Sequence, residues 1–249
     1  MEKIIKQTRE VGTSAGVILP RSWLNKQVVV TIFSSSIKDI AMEVLKILFN
    51  KGLNEEVKGI YLFGSYARGD YDLDSDIDIL VISKNINKLI NYENYEISLI
   101  SEDKFSKNLK ENLICLSALR EAKVLLNKEL IEKYKEKVDK PNFTKLLNEI
   151  KNIVRINKNM VKFDKEQGIN VLDGTIYSIV LRLRELYLIK SILSNKLYNK
   201  PDFVKLIGER NYSAYLRIKR DEKELNNLWS NDVEDLLTLS EKWLKELKE

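Results

Sequence analysis

The chain of 249 residues contains no histidine and one cysteine, Cys115. The absence of histidine excludes a histidine general acid or base and excludes histidine-ligated metals. One cysteine cannot form an internal disulfide, and Cys115 lies in an apolar stretch, so we expect a small buried hydrophobic side chain in a reducing cytoplasm. No apolar run approaches the ~20 residues of a membrane span. The N-terminus lacks the apolar segment of a signal peptide, so secretion is not expected.

The composition predicts a soluble globular protein, because 44% of the residues are hydrophobic and 32% are charged. The net charge is +5. Residues 1–139 carry 21 basic and 21 acidic side chains, whereas residues 140–249 carry 21 basic and 16 acidic ones. This mild excess permits contact with nucleic acid or an acidic partner without requiring it.

The most informative segment is Gly64–Gly69, which reads Gly-Ser-Tyr-Ala-Arg-Gly and is followed by Ser-Asp-Ile-Asp at 75–78. Apolar runs on both sides predict a strand, a small-residue turn and a second strand. Asp76 and Asp78 are two residues apart on the second strand and point to the same face. Paired carboxylates require a positive group between them, and oxygen-only ligation suits Mg²⁺ or Mn²⁺.

Gly64 and Ser65 leave room for a phosphate, which backbone N–H groups and a hydroxyl can hold. Carboxylates beside such a loop suggest nucleotidyl transfer. The alternative is a glycine-rich hairpin with solvated aspartates. Between the two strands, Asp70, Asp72 and Asp74 read as turn residues rather than ligands.

The motif resembles that of the DNA polymerase β superfamily, and in particular the minimal nucleotidyltransferases. The resemblance implies that Asp76 and Asp78 hold Mg²⁺ or Mn²⁺ and that the substrate is a nucleoside triphosphate, with Gly64 and Ser65 on its phosphates. Arg68 would neutralise the leaving pyrophosphate; its alternative role is a surface ion pair with a neighbouring loop aspartate, Asp70 or Asp72.

A third carboxylate completes the site in this superfamily. The family pattern aligned on strand 95–101 places Ser98 where the acid belongs. Glu96 lies two residues earlier on the same face, so its longer side chain could reach the metal. The alternatives are that Glu96 serves as the third, catalytic acid or that the chain has none.

The N-terminal segment 1–33 predicts strands at Ile4–Glu10, Val17–Leu19 and Val28–Phe33, with a Gly-Ser turn at Gly12–Gly16. It resembles the AbrB/SpoVT-like swapped-hairpin family through Gly-Thr-Ser-Ala-Gly-Val-Ile-Leu-Pro at 12–20. That resemblance implies a homodimer and DNA binding, with Arg9 and Arg21 as candidate DNA contacts. The alternative is a hairpin that extends the catalytic sheet or clamps a neighbouring domain.

Residues 34–139 predict the nucleotidyltransferase domain, a mixed sheet with helices on one face. We expect a helix at Ile37–Asn50 with a serine cap, strands at 57–63, 77–83 and 95–101, a helix at 102–112, and a helix followed by a strand at Lys123–Leu126.

Residues 140–249 lack strand signals and predict an all-α bundle, with helices at about 142–165, 171–195, 201–208, 212–226 and 231–247. The bundle resembles HEPN domains and the C-terminal domain of kanamycin nucleotidyltransferase. HEPN ribonucleases require a histidine, so the chain cannot be such a nuclease.

Two functions follow, beside the alternative of a structural dimer whose site is vestigial. The first is a metal-dependent nucleotidyltransferase that moves NMP, foremost AMP, from NTP to a hydroxyl on a protein or small molecule. The second is a DNA-binding, antitoxin-like regulator in which the nucleotidyltransferase domain binds nucleotide with little or no activity.

Overall fold

The computed structural model describes residues 4, 6, 8–30, 36–72, 75–138 and 140–248. The strands are β1 Arg9–Val11, β2 Ser14–Gly16, β3 Val57–Phe63, β4 Ile77–Ser83, β5 Lys88–Tyr92, β6 Tyr95–Ser101 and β7 Lys123–Leu126. The α-helices are α1 Ile37–Asn50, α2 Gly64–Arg68, α3 Glu102–Asn108, α4 Leu113–Glu121, α5 Lys128–Lys137, α6 Thr144–Gln167, α7 Asp173–Leu193, α8 Lys200–Ile207, α9 Glu209–Lys219 and α10 Ser230–Glu246. This architecture confirms the predicted α+β class.

The main sheet is mixed, with strand order β5-β6-β4-β3-β7. Strands β4 and β6 are parallel, and the other neighbours are antiparallel. The predicted strands at 57–63, 77–83, 95–101 and 123–126 are confirmed at the same bounds. Strand β5 was not predicted, because only Ile90 of this edge strand is buried and the segment lacks a strand-like apolar pattern.

Helices cover both faces of the sheet, so the expectation of one covered face was wrong. Alternate residues of a strand point to opposite sides. On β4, Ile79 and Val81 pack in the cluster that contains Ile40 of α1. Leu80 belongs to a second cluster, which contains Phe105 of α3. Two apolar faces of one strand therefore require a helical layer on each side.

Helix α1 begins where the predicted serine cap stands. The Ser36 hydroxyl accepts a hydrogen bond from the Asp39 N–H at 3.1 Å, and the Asp39 carboxylate accepts one from the Ser36 N–H at 3.1 Å. This reciprocal pair satisfies two N–H groups at the start of the helix. Helix α3 ends at Asn108 rather than near 112, because Asn112 caps the next helix by accepting the Cys115 N–H at 2.9 Å.

The C-terminal part is helical, as predicted. Helix α7 lies at its centre and packs against helices α4, α6, α8, α9 and α10. The predicted helix at 212–226 instead spans 209–219. The loop that follows is held in place, because the Asp173 carboxylate accepts the Leu225 N–H at 3.0 Å and the Asp173 N–H donates to Asn226 at 2.7 Å. The described part of the chain contains no helix long and apolar enough to cross a membrane.

The N-terminal segment forms a shorter hairpin than predicted. Strand β1 pairs with β2 through residues 9–11 and 14–16, and Gly12 turns the chain at a φ of 60°. The expected strand at Val17–Leu19 is absent, because the hairpin closes around Gly12 and Thr13 and draws residues 14–16 into the pairing. Residues 28–30 form no strand, and 31–33 lie outside the described residues, as do parts of Ile4–Glu10.

Candidate active site

Three chain segments meet at one edge of the main sheet. Asp78 near the start of β4 lies opposite Phe63, the last residue of β3, and opposite Glu96 near the start of β6. Gly64 follows Phe63 directly and opens helix α2. The strand register therefore brings the glycine of the motif, one of its aspartates and Glu96 to the same place.

Gly64 packs against the Asp78 carboxylate. Its φ is +71°, a conformation that side chains other than glycine rarely adopt. A Cβ atom on residue 64 would lie 2.0 Å from Asp78 Oδ2, closer than two unbonded atoms can approach. Position 64 thus requires glycine for its backbone conformation and for the room that Asp78 occupies.

The anionic form of Asp78 is disfavoured by its surroundings. Burial is the largest cause, followed by the charges of Glu96 and Asp76, and together they raise its pKa to about 7. Lys219 and Arg184 oppose this shift more weakly. A cation at this place would favour the anionic form of Asp78, because its charge offsets both the desolvation and the neighbouring negative charges.

These carboxylates fit a hard divalent cation held jointly with phosphate. Asp76 is exposed directly before β4, and Asp78 is half-buried as the second residue of that strand. The described residues contain no ready-made group of three metal-binding side chains. Mg²⁺ commonly takes one or two carboxylates together with substrate phosphates. Asp76 and Asp78 match that donor set.

The pairing of β4 with β6 determines the cross-strand neighbours of Glu96 and Ser98. Glu96 is the cross-strand neighbour of Asp78, and Ser98 is the neighbour of Leu80, two residues deeper along the strand. Of the two residues, Glu96 is therefore the one that lies beside Asp78, and Ser98 lies farther along β6. Glu96 lines the same cavity as Asp76 and Asp78.

Arg68 is held by carboxylates of the protein. Its Nη1 donates to Glu121 at 2.6 Å, and its Nε donates to Asp70 at 3.2 Å. Burial raises the pKa of Glu121, while Arg68 and the Gly64 N–H lower it. The contact with Asp70 is the alternative named for Arg68, whereas Glu121 was missed. The sequence indicated Glu121 only as an isolated acidic residue at the end of an apolar helix.

Asp70 and Asp72, two of the loop aspartates, pair with basic side chains of the protein. Asp72 accepts a hydrogen bond from the Ser75 hydroxyl at 2.9 Å, and Lys200 of α8 forms an ion pair with Asp72 at 2.9 Å. Leu73 and Asp74 lie outside the described residues. Asp72 therefore ties the motif loop to the helical part of the chain.

The helical part supplies the far wall of the site. A cavity of about 670 Å³ is lined on the sheet side by Gly64, Ser65, Arg68, Asp76, Asp78 and Glu96. The opposite side includes residues from helices α7 to α9 and the loop between α7 and α8: Arg184, Tyr198, Lys200, Tyr212, Tyr215 and Lys219. Sequence reasoning missed this wall because its residues lie more than a hundred positions beyond the motif.

Arg9 and Arg21, the candidate DNA contacts, lie elsewhere. Arg9 is exposed on β1, and Arg21 is exposed in a single turn of 3₁₀ helix. Neither lines the cavity. The two arginines therefore have no part in the geometry of this site.

Comparison with known proteins agrees with this geometry. A family model described as a nucleotidyltransferase domain matches residues 41–199. The match begins in α1, includes the main sheet and ends in the loop after α7. It therefore includes the carboxylates, the glycine-rich segment and part of the helical wall.

Two proteins of Methanocaldococcus jannaschii, both named "Putative protein adenylyltransferase", are similar to part of the chain. One is 43% identical over 54 residues, and the other is 38% identical over 74 residues. The similar segments cover 19% and 30% of this chain, and 54% and 63% of the two relatives. The chain thus spans less than two thirds of the length of these curated relatives.

A crystal structure of a nucleotidyltransferase-like protein from Exiguobacterium sibiricum also aligns. It has 13% identity and a TM-score of 0.36, and the alignment covers 83% of this chain and 75% of that one. A similarity at this level carries no argument about function.

Proposed function

The chain belongs to the nucleotidyltransferase domain family, and on that premise we propose that it transfers a nucleoside monophosphate from a nucleoside triphosphate to an acceptor hydroxyl. The observation that carries the proposal is the setting of Asp78. It lies beside Asp76, Glu96 and Gly64, and it faces a cavity whose opposite wall carries cations. Carboxylates on one side and cations on the other suit a triphosphate bound with a metal.

Asp76 and Asp78 would hold Mg²⁺ or Mn²⁺ together with the phosphates. When bound, the cation would neutralise phosphate charge and stabilise the charge that develops during transfer. The Ser65 hydroxyl lines the cavity beside these carboxylates and would donate to a phosphate oxygen. The Gly64 N–H already faces Glu121, so we assign Gly64 the role of leaving space for Asp78.

The reaction replaces one P–O bond by another. The acceptor oxygen bonds to the α-phosphorus, the bond to the bridging oxygen breaks, and pyrophosphate leaves with the electron pair. A carboxylate oxygen of Glu96 would take the proton of the acceptor hydroxyl, because Glu96 is exposed to the cavity beside Asp78. We therefore propose Glu96 as the third, catalytic acid.

The acceptor is a hydroxyl of a protein or of a small molecule. The names of the two archaeal relatives favour a protein acceptor and AMP as the transferred group.

Transfer from labelled ATP, CTP, GTP and UTP with Mg²⁺ or Mn²⁺ tests the proposal, with a cell lysate as the source of acceptors. We expect label on a protein or small molecule with wild type, and a loss on the order of a hundredfold with Asp76→Asn or Asp78→Asn. Asp103→Asn is the control, because Asp103 is an exposed aspartate on α3 that does not line the cavity. Equal transfer by wild type and Asp78→Asn would contradict the proposal.

A second candidate function rests on the N-terminal hairpin. Its arginines are exposed and separate from the cavity, and the apolar side chains of Val29 and Val30 are 93% and 72% exposed. Exposed valines of this kind favour pairing with a second copy. A homodimer that binds DNA through Arg9 and Arg21 would act as an antitoxin-like regulator.

Sedimentation and DNA-binding measurements test this second function. Wild type should sediment as a dimer and bind duplex DNA with an affinity that falls as salt rises, and the double variant Arg9→Ala/Arg21→Ala should lose that affinity. Arg155→Ala is a control, because Arg155 is exposed on α6. A monomer without affinity for DNA would remove the regulator from consideration.

A further inference from the structure

Arg184 is a polar residue on a helix that is otherwise largely buried. It lies on α7, between the buried residues Leu183 and Leu186, and its side chain lines the cavity opposite the carboxylates. A half-buried guanidinium at the centre of a helical bundle is costly unless an anion compensates it. Its partners therefore indicate whether it serves the fold or a ligand.

The protein provides Arg184 with only weak partners. Its guanidinium lies over the Tyr198 ring at 5.6 Å, and its Nη1 is 3.4 Å from the Tyr215 hydroxyl. Its Nε is buried without a hydrogen-bond acceptor. Within the described ranges, no carboxylate forms an ion pair with Arg184, whereas Arg217 is paired with Asp173 at 2.7 Å.

A second cation contacts the same tyrosine. The guanidinium of Arg68 lies 5.0 Å from the centre of the Tyr198 ring. Arg68 is neutralised by Glu121 and Asp70, so its charge is compensated within the protein. Arg184 adds a further positive charge beside the same ring without such compensation. An anionic ligand in the cavity would supply the missing charge.

On the opposite side of the cavity the charges without an ion-pair partner are negative. Among the described residues, Asp76, Asp78 and Glu96 form no ion pair, and each lines the cavity. Lys200, a cation of the helical wall, is already paired with Asp72. The unpaired carboxylates and the unpaired Arg184 thus face one space from opposite sides. A ligand with a metal at one end and free phosphate oxygens at the other would satisfy both.

We propose that Arg184 binds the terminal phosphates of the nucleoside triphosphate and the pyrophosphate that leaves. This inference rests on the proposed function and assigns a residue of the helical part to it. The reacting α-phosphorus belongs beside the carboxylates, so the opposite wall meets the far end of the triphosphate. A guanidinium suits this role because its planar N–H groups bind two phosphate oxygens at once.

Calorimetric binding of inorganic pyrophosphate, MgATP and AMP tests the proposal without requiring an acceptor. Arg184→Gln should weaken the binding of pyrophosphate and MgATP about tenfold to a hundredfold, because a charge-assisted contact is lost. Its affinity for AMP should stay within about twofold, because AMP lacks the terminal phosphates. Arg184→Lys should restore part of the pyrophosphate affinity, since it keeps the charge but not the planar geometry.

Arg182→Gln is the matched control. Arg182 lies half a turn earlier on the same helix, pairs with Glu185 at 2.8 Å and does not line the cavity. Its removal should leave pyrophosphate affinity unchanged. Melting curves of all variants identify any that fail to fold, and Arg184→Lys retains a cation if Arg184→Gln is unstable.

The outcomes separate the inference from the function on which it rests. If wild type binds MgATP and Arg184→Gln binds pyrophosphate equally well, Arg184 has no phosphate role and the proposed function stands. Equal losses for AMP and pyrophosphate would also overturn the inference, since they indicate a structural role. If wild type binds neither MgATP nor pyrophosphate, both proposals fail.

Discussion

Replacing Gly64 by alanine adds a single carbon atom directly against the Asp78 carboxylate. The new Cβ would lie 2.0 Å from Asp78 Oδ2. Nonbonded carbon and oxygen atoms stay at least 3.0 Å apart, so the Asp78 carboxylate would have to move by about 1 Å. The movement displaces the carboxylate that we propose as a metal ligand.

Two effects of different size follow from this substitution. Alanine at a φ of +71° costs about 1–2 kcal/mol of folding free energy, because the left-handed conformation strains its side chain. That loss lowers the melting temperature of a chain of this length by roughly 2–8 °C. A displacement of about 1 Å at a reacting centre lowers the rate about a hundredfold. Nucleotidyl transfer should therefore fall far more than stability.

Gly168→Ala separates the two effects. Gly168 follows α6 with a φ of +64°, and no heavy atom lies within 4 Å of the position its Cβ would take. Its replacement should therefore lower the melting temperature through backbone strain alone, and no more than Gly64→Ala does, while leaving transfer and MgATP binding intact. Melting curves, transfer rates and calorimetry on both variants complete the comparison. A transfer rate of Gly64→Ala equal to that of wild type would refute the reasoning.

Two further predictions concern buried ion pairs. Glu121→Gln should lower the free energy of unfolding by about 3 kcal/mol, because it removes one of the two carboxylates that pair with Arg68. An unchanged urea midpoint would contradict this. Asp173→Asn should cost about 3–5 kcal/mol at pH 7. Burial raises the pKa of Asp173, but Arg217 and backbone N–H groups outweigh burial and leave it below its ordinary value. The greater free energy of unfolding of wild type over Asp173→Asn should therefore be present at pH values above the ordinary aspartate pKa. It should disappear as the pH falls through the lower pKa of Asp173 in the folded protein. Urea titrations at pH 7 and at strongly acidic pH measure it, and an equal difference at both values would contradict the prediction.

Local patterns in the sequence were sufficient for most of the secondary structure. Helix α1 was predicted from its serine cap and apolar stripe, and strands β3, β4 and β6 were predicted from short apolar runs bounded by turn residues. These signals depend on neighbours a few residues apart, so they persist without knowledge of the fold. Strand β5 was missed because its pairing with β6, rather than its own pattern, makes it a strand.

The sequence by itself also determined the motif at 64–78, including which residues could hold a metal and a phosphate, because those groups are close together along the chain. The tertiary structure decided that Glu96 rather than Ser98 lies beside Asp78, since only the register of β4 and β6 specifies cross-strand neighbours. It also decided that Glu121 holds Arg68 and that Arg184 faces the carboxylates. Those contacts join segments 53 or more residues apart, and only the packing of the helices on one another and on the sheet brings them together.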